Sequence, residues 1–460
     1  VFYMVDKDIL SKVRRVHFIG VGGSGMCPMA EILFHKGYIV SGSDNYESDT
    51  FKRIKDLGMD VVIGHEAKNV FNAELVVYSA AVKSDNVELI AAKEQGIPCI
   101  ERSVMLGLIT DRYANSIAVA GTHGKTTTTA MLTQIMIEGK KDPTSIIGGK
   151  LPFLQGNSCI GKSENIICEA CEYVDTFLQL NPAIAVITNL EADHLDYFKT
   201  LDNVIASFRK FSEKTSKVLI VNGDDENIKK AICSVKIPVI TFGMGEHNDF
   251  RAEHVKLNSD NTQNFVFTKS GEKIADVKLV VPGGHNVMNA LAAATVAYYN
   301  DVNVSDIVNA LEKFTGVHRR FELITKVNGI TVVDDFAHHP TELTTTLNAA
   351  KNMNFKRVIA VFQPHTYSRT YMFLDDFAKA LSIADKVVLS QILAVRETNT
   401  YNIYSSDLAK KIDNCVCFDT FDEISDYIAS EAKEGDLIIT LGGGNVYVCA
   451  AQIAKKLSGE

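Results

Sequence analysis

Twice in this chain an apolar run breaks on glycine and gives way to an amphipathic stretch: "VHFIGVGGSGM" at 16–26 and "SIAVAGTHGKTTTT" at 116–129. A buried strand that turns through glycine into a helix belongs to α/β proteins with parallel, helix-covered sheets. The alternation continues after each loop. "YIVSGSD" (38–44) and "LVVYSA" (75–80) read as strands in the first block, with helices at "PMAEILFHKG" and "ESDTFKRIKDLG" between strands. "NIICEA" (165–170), "AIAVITNLE" (183–191) and "VLIVNGDDEN" (218–227) are the strands of a second block. Residues 254–283 differ, with short alternating segments separated by turn residues, as in an antiparallel insert. A third block follows "TGVHRRFELI" (315–324), with strands at "ITVVDDFA" (330–337), "RVIAVFQ" (357–363), "KVVLSQI" (386–392) and "DLIITLGGG" (436–444). The length of 460 residues agrees with three domains at roughly 150 residues each. The expected domains are 1–114, 115–320 and 321–460.

Composition narrows the function. A net charge of −9 argues against a nucleic-acid partner, because phosphate backbones call for basic patches. Small phosphorylated ligands stay open, since a helix N-terminus holds phosphate without net positive charge. No apolar run approaches the ~20 residues of a bilayer span, and no membrane insertion is expected. The start, "VFYMVDKDIL", lacks the basic residues and long apolar core of a secretory signal. Nine cysteines at scattered spacings read as reduced thiols, so a cytoplasmic protein is expected.

Each loop suits a phosphate. In "GTHGKT", backbone N–H groups of Gly121, Thr122, His123 and Gly124 converge at a strand-to-helix turn, where the helix dipole adds positive charge. Lys125 can reach outer phosphates, and the Thr126 hydroxyl can ligate Mg²⁺. Val119 stands where the common G-x-x-x-x-G-K-[ST] loop has its first glycine, so this loop is tighter. The earlier loop matches G-x-G-x-x-G at Gly20, Gly22 and Gly25, and Asp44 lies where a ribose-binding acid would fall. Asp44 reads equally well as a turn residue in "GSDN". Two loops on two domains imply two phosphorylated ligands: a nucleoside triphosphate and a nucleotide-linked substrate.

A triphosphate site with Mg²⁺ needs an acid at a strand end. Glu169 ends one apolar run, and Asp193 and His194 lie just beyond another. Hard Mg²⁺ prefers oxygen, so His194 reads either as a ligand or as a loop histidine capping a helix. Cys168 and Cys171 flank Glu169 as C-x-x-C. Without a second ligand pair or a thioredoxin-like setting they are expected to behave as small hydrophobes. In the third block "DDFAHHPTE" (334–342) and "FQPHTYSRT" (362–370) follow strands and supply Asp335, His338, His365 and Arg369. Arginine forks a carboxylate, and His or Asp can take a proton.

These motifs together, with "TNLEADHLDYF", "GGHNVMNALAA" and "GVHRRFE", resemble the Mur ligase family in the family's order and over essentially the whole chain. The resemblance implies a three-domain α/β fold: a Rossmann-like N-terminal domain, a central P-loop ATPase-type domain and a Rossmann-like C-terminal domain. It implies an enzyme that uses ATP and Mg²⁺ to join L-alanine to the carboxylate of UDP-N-acetylmuramate through an acyl phosphate, in peptidoglycan precursor synthesis. By position, Gly20, Gly22, Gly23, Ser24, Gly25, Met26, Ser43, Asp44 and Ser79 would serve the UDP-sugar. Residues 121–127, ending at Thr127, would hold ATP with Asn289, Arg320 and Asp335. Thr126, Glu169 and His194 would hold the metal, and His338, His365 and Arg369 would lie near the incoming alanine. A monomer or homodimer is expected.

Four positions depart from the family pattern. Phe336 stands where many members have Tyr, and Thr366 where some have a second Arg. "LGGGN" (441–445) is an unusual turn, and Arg209 falls near the place of a lysine that sibling ligases carbamylate. An alternative within the family is a ligase that attaches a ready-made peptide to the same UDP-sugar during wall recycling. The "GVGGSGM" form of the first loop favours the alanine-adding activity. An NAD-dependent dehydrogenase would leave "GTHGKTTTT" idle, and a nucleotide-gated binding protein would leave the third block's His and Arg clusters unused.

Overall fold

The computed structural model describes residues 6–154, 156–395 and 397–459, with backbone only at Leu195 and Asp196. The first block forms five parallel strands, β1 (Arg15–Ile19), β2 (Ile39–Asp44), β3 (Asp60–Ile63), β4 (Leu75–Tyr78) and β5 (Cys99–Glu101), in the order β3-β2-β1-β4-β5. The order reverses direction at β1, so the first glycine loop leaves the sheet at its switch point, where α/β sheets bind ligands.

The second block contributes β6 (Asn115–Ala120), β7 (Thr144–Leu151), β8 (Gly156–Cys159), β9 (Asn165–Glu169), β10 (Ile184–Ile187), β11 (Val218–Asn222), β12 (Val239–Gly243), β13 (Phe250–Leu257), β14 (Gln263–Lys269) and β15 (Glu272–Leu279). They form one sheet in the order β15-β14-β13-β12-β11-β10-β6-β9-β7-β8. Here β6 lies between β9 and β10, parallel to both, and the second glycine loop leaves at that point. Ile184–Ile187 are buried at every position, which is why this strand reads as an unbroken apolar run. The alternating segments of 254–283 fall largely on β13, β14 and β15, the consecutive edge of that sheet.

The third block folds as β16 (Glu322–Val327), β17 (Ile330–Asp335), β18 (Arg357–Phe362), β19 (Lys386–Leu389), β20 (Cys415–Cys417) and β21 (Asp436–Leu441), in the order β16-β17-β21-β18-β19-β20. Only β16 pairs antiparallel. Its two motif loops follow β17 and β18, on either side of β21.

By packing, the chain divides into two units. The first runs to Val255 and includes Phe265–Lys278 and Val287–Phe314; the second comprises Lys256–Asn264, Leu279–Asn286 and Thr315 onward. Most of the first two sequence blocks thus packs as one unit, and one buried cluster runs through both, from Leu10 and Phe18 to Phe177, Phe208 and Phe211. The helix Arg102–Thr110 lies at this seam, against the turn Tyr173–Gln179. Gly107 on that helix faces the Gln179 backbone carbonyl so closely that an added Cβ would collide with it. No described helix is long and apolar enough to cross a membrane.

Gly107→Ala tests this seam. Alanine improves helix propensity by about 1 kcal/mol, but backbone cannot yield as a side chain can, and overpacking costs about 1–3 kcal/mol. The substitution is expected to lower stability by about 1 kcal/mol, read as a reduced urea midpoint at unchanged slope.

Candidate active site

The first loop is built by hydrogen bonds from the end of β2. Gly20 N and Val21 N donate to the Ser43 carbonyl at 2.8 and 3.0 Å, and Gly22 N donates to Asp44 Oδ2 at 2.9 Å. Gly20 takes φ +81°, a left-handed conformation that costs glycine little. Asp44 Oδ1 also accepts from Asn45 N at 2.7 Å, so Asp44 organises both its own turn and the glycine loop. Ser43 is fully buried, and its hydroxyl donates to Glu88 at 2.6 Å; it supports the loop from beneath. Ser79 stands beside Gly20, with its hydroxyl 4.0 Å from where a Cβ would lie. Gly23, Ser24 and Gly25 complete the loop, and Met26 is buried at the cap of the helix Cys27–His35.

The second loop opens the helix Lys125–Glu138. Gly124 caps it at φ +81°, and Asn289 Oδ1 sits where a Gly124 Cβ would be. Asn289 therefore reaches the loop, and it also accepts from Thr128 Oγ1 at 3.3 Å. His123 N donates to Asn189 Oδ1 at 2.7 Å, and Thr122 Oγ1 accepts from Glu191 N at 2.9 Å, so the stretch after β10 braces the loop from below. The first-turn N–H groups, Thr127 included, have no carbonyl within the helix to bond.

Lys125 Nζ donates to the carbonyls of Gly121 at 2.5 Å and Thr122 at 3.1 Å, and pairs with the Glu172 carboxylate at 2.9 Å. Thr126 Oγ1 donates to Glu169 Oε2 at 3.0 Å. The hydroxyl and carboxylate form a hard-oxygen pair that suits Mg²⁺. Among the described residues no three His, Cys, Asp or Glu groups gather to hold a metal unaided. An ion here would complete its shell with phosphate oxygens and water, the usual pattern for Mg²⁺. His194, at φ +52°, turns its Nε2 toward Glu172 Oε1 at 3.8 Å and packs on the Tyr173 ring at 4.7 Å.

Glu172 was not foreseen from the sequence. Only 2% exposed, it joins Lys125 to His194, and its signal was present as the second acid of "EACE" beyond β9. Cys168 is buried on β9, and burial pushes its thiol up to about 12, as suits an inert small hydrophobe. Arg209 donates to the Lys230 carbonyl at 2.8 Å.

In the second unit, Asp335 ends β17 as a buried residue. It accepts from Phe321 N at 2.7 Å and Ala337 N at 2.9 Å, and burial raises its pKa against the pull of Arg320. The Arg320 guanidinium lies 5.8 Å from the Phe336 ring, so the phenyl group at 336 keeps a contact that needs no hydroxyl. Arg319, also not foreseen, pairs with Asp334 at 2.8 Å and donates to the carbonyls of Gly442 and Gly444 at 2.5 and 2.7 Å. That arginine accounts for the "LGGGN" turn, whose carbonyls are turned to meet it.

His338 and His365 rings lie 5.8 Å apart. His338 Nδ1 meets the Phe336 carbonyl at 2.9 Å. Burial pushes its pKa down, although Glu342, 3.3 Å away, pulls the other way. Burial, His338 and Arg369 together push His365 down to about 4. His365 Nδ1 and Arg369 Nη1 are buried without a hydrogen-bond partner among the described residues. Such groups are costly unless a ligand completes them. Thr366 between them has φ +66° and ψ 145°, a region otherwise left to glycine, and such strain collects at functional sites.

His365 yields a pH test. Its folded pKa lies below the unfolded value near 6.5, so the neutral form favours the fold. The stability it contributes is present above about pH 6.5 and is lost as pH falls toward 4. Imidazole NMR is expected to place its titration midpoint near 4, and His365→Gln to reduce the fall in denaturant midpoint across that window.

Family models match in three consecutive segments: Mur ligase family, catalytic domain, at 15–114; Mur ligase middle domain at 119–297; and Mur ligase, glutamate ligase domain, at 319–444. The UDP-N-acetylmuramate–L-alanine ligase of Clostridium botulinum (strain Okra) is 43% identical over 445 residues, 95% of this chain and 97% of that protein. The crystal structure of a UDP-N-acetylmuramate-alanine ligase from Thermotoga maritima superposes with a TM-score of 0.81 at 28% identity, covering 97% of this chain and 99% of that one. A murein peptide ligase from Psychrobacter arcticus gives 0.72 at 26% identity, with the same coverage. On its sequence and its fold, the chain belongs to the Mur ligase family.

Proposed function

We propose that this enzyme joins L-alanine to the carboxylate of UDP-N-acetylmuramate at the expense of ATP, in peptidoglycan precursor synthesis. The observation that carries the reading is Lys125 beside the Thr126–Glu169 pair at the start of one helix, the arrangement a triphosphate with Mg²⁺ requires. The curated relatives that act on UDP-N-acetylmuramate and L-alanine extend it to the substrates.

In this reading Gly20–Met26 take the diphosphate of the sugar nucleotide. Gly121–Thr127 with Asn289 take ATP, and Arg320 and Asp335 serve the nucleotide from the third domain. Thr126 and Glu169 hold Mg²⁺, which supplies charge neutralisation on the phosphates, and His194 stands behind them through Glu172. The muramyl carboxylate attacks the γ-phosphorus, and ADP leaves. Lys125 exchanges a loop carbonyl or Glu172 for a phosphate oxygen and offsets charge as it develops. The neutral amine of alanine then attacks the acyl carbon, and phosphate leaves. Arg369, with its unpartnered Nη1, takes the alanine carboxylate, and neutral His365 accepts a hydrogen bond from the amine. A base titrating near 4 holds an ammonium proton poorly, so His365 orients the amine rather than storing its proton. ATP and a water-soluble sugar nucleotide place this chemistry in the cytoplasm.

The deciding experiment is phosphate release from ATP and Mg²⁺ with UDP-N-acetylmuramate, with and without L-alanine, glycine, L-serine or a wall tripeptide. Release that needs both the UDP-sugar and L-alanine is expected. Release with the tripeptide alone would move the chain to the recycling activity. Arg369→Ala is expected to raise KM for L-alanine by about 10–100-fold, the loss of a charge-assisted hydrogen bond. KM for ATP should change little, and an equal rise in both would remove Arg369 from the amino-acid site.

A further inference from the structure

The β7–β8 hairpin touches both phosphate loops and belongs to neither. Its strands pair antiparallel, with a register shift between Ile146 and Leu151. Within that shift Gly148 N donates to Glu169 Oε1, while Thr126 holds the other carboxylate oxygen. The hairpin and the nucleotide loop therefore share one carboxylate.

Its other strand grips the first domain. Asn157 Nδ2, on a side chain only 3% exposed, donates to the Ser24 carbonyl at 2.6 Å, inside the first glycine loop. Ser158 Oγ donates to Glu31 Oε2 at 2.6 Å. Glu31 is wholly buried on the helix that the first loop opens, and Arg53 pairs with its other oxygen at 2.8 Å. Arg53 lies against Gly156, where an added Cβ would collide with the guanidinium. Lys150 reaches Asp49 at 3.4 Å on the rim.

A buried carboxylate tolerates little loss of its partners. Those of Glu31 come from both domains, so the joint has one favourable register, and sliding the hairpin would leave Glu31 short of a donor. A shift of Glu169 toward a metal–nucleotide complex pulls on Gly148, and the paired positions on either side of it, Ile146 with Ser158 and Leu151 with Gly156, carry that pull to Asn157 and Ser24. The reverse follows by thermodynamic linkage.

We propose that the β7–β8 hairpin couples the two loops, with Asn157, Ser158 and Arg53 as positioning residues, so that nucleotide at the second loop strengthens UDP-sugar binding at the first. This rests on the substrates proposed above. The test is calorimetric titration of UDP-N-acetylmuramate into the full chain, with and without a non-hydrolysable ATP analogue and Mg²⁺. Wild type is expected to bind the UDP-sugar about tenfold tighter with nucleotide present, inside the usual ~5–150-fold range of such linkage. Ser158→Ala and Arg53→Lys, checked for an intact thermal transition, are expected to bring the ratio near one while affinity for the analogue alone holds. A merely structural role would weaken binding equally with and without nucleotide and leave the ratio intact, which overturns the proposal. Binding of both ligands to wild type without linkage overturns it as well. No binding of UDP-N-acetylmuramate under either condition overturns the substrate reading, and this inference with it.

Discussion

A helix begins with N–H groups that nothing inside it can satisfy. In this protein that constraint is placed twice at the switch point of a parallel sheet, and much of the surrounding structure exists to keep those groups aimed outward. Gly20 and Gly124 both turn through left-handed backbone so that the chain can enter a helix directly after a strand. Asp44, Asn189 and Asn289 then fix the shape of the loops. The loops are alike because both place free helix N–H groups at the end of a strand; under the proposed function, the residues beyond the glycines would make one a seat for a sugar nucleotide and the other a seat for ATP.

Lys125 shows what else the second loop must manage. A lysine has three N–H donors, and here they face two loop carbonyls and Glu172. A phosphate must displace at least one of these partners. Glu172, buried, also has the His194 imidazole 3.8 Å from its Oε1. The Lys125 ammonium is therefore partnered at rest, and a phosphate would exchange one of its contacts for another. His365 and Arg369 in the third domain follow the opposite rule: each has a buried polar nitrogen without a hydrogen-bond partner among the described residues, at a cost a ligand would relieve.

The strands that pass through sheet centres were plain in the sequence, because burial on both faces leaves an unbroken apolar run such as "AIAVI". Short strands were not. Asp60–Ile63 is exposed at three of four positions, and Cys99–Glu101 has only three residues, so neither carries a pattern. "GNSC" of β8 is polar and earns its burial from contacts on another domain, which no local periodicity reports. Asp44 was open to two readings, and the structure shows it bonding both its turn and the loop. Glu172 and Arg319 escaped notice because each stands near a residue of the same type, Glu169 and Arg320. Which of two like charges turns inward is set by tertiary packing rather than by composition.

Arg319 ties together two stretches that are far apart in the chain. Its guanidinium lies between the rings of Phe336 and Tyr447, each 5.0 Å away, and spends its donors on Asp334, Gly442 and Gly444. The last turn of the sheet is thus held by a residue that precedes the domain's first strand. The segment before β16 and the glycine turn after β21 are in effect one inheritable unit. Swapping either alone from a relative would strand a buried charge, so chimaeras of this domain must carry both ends from the same parent.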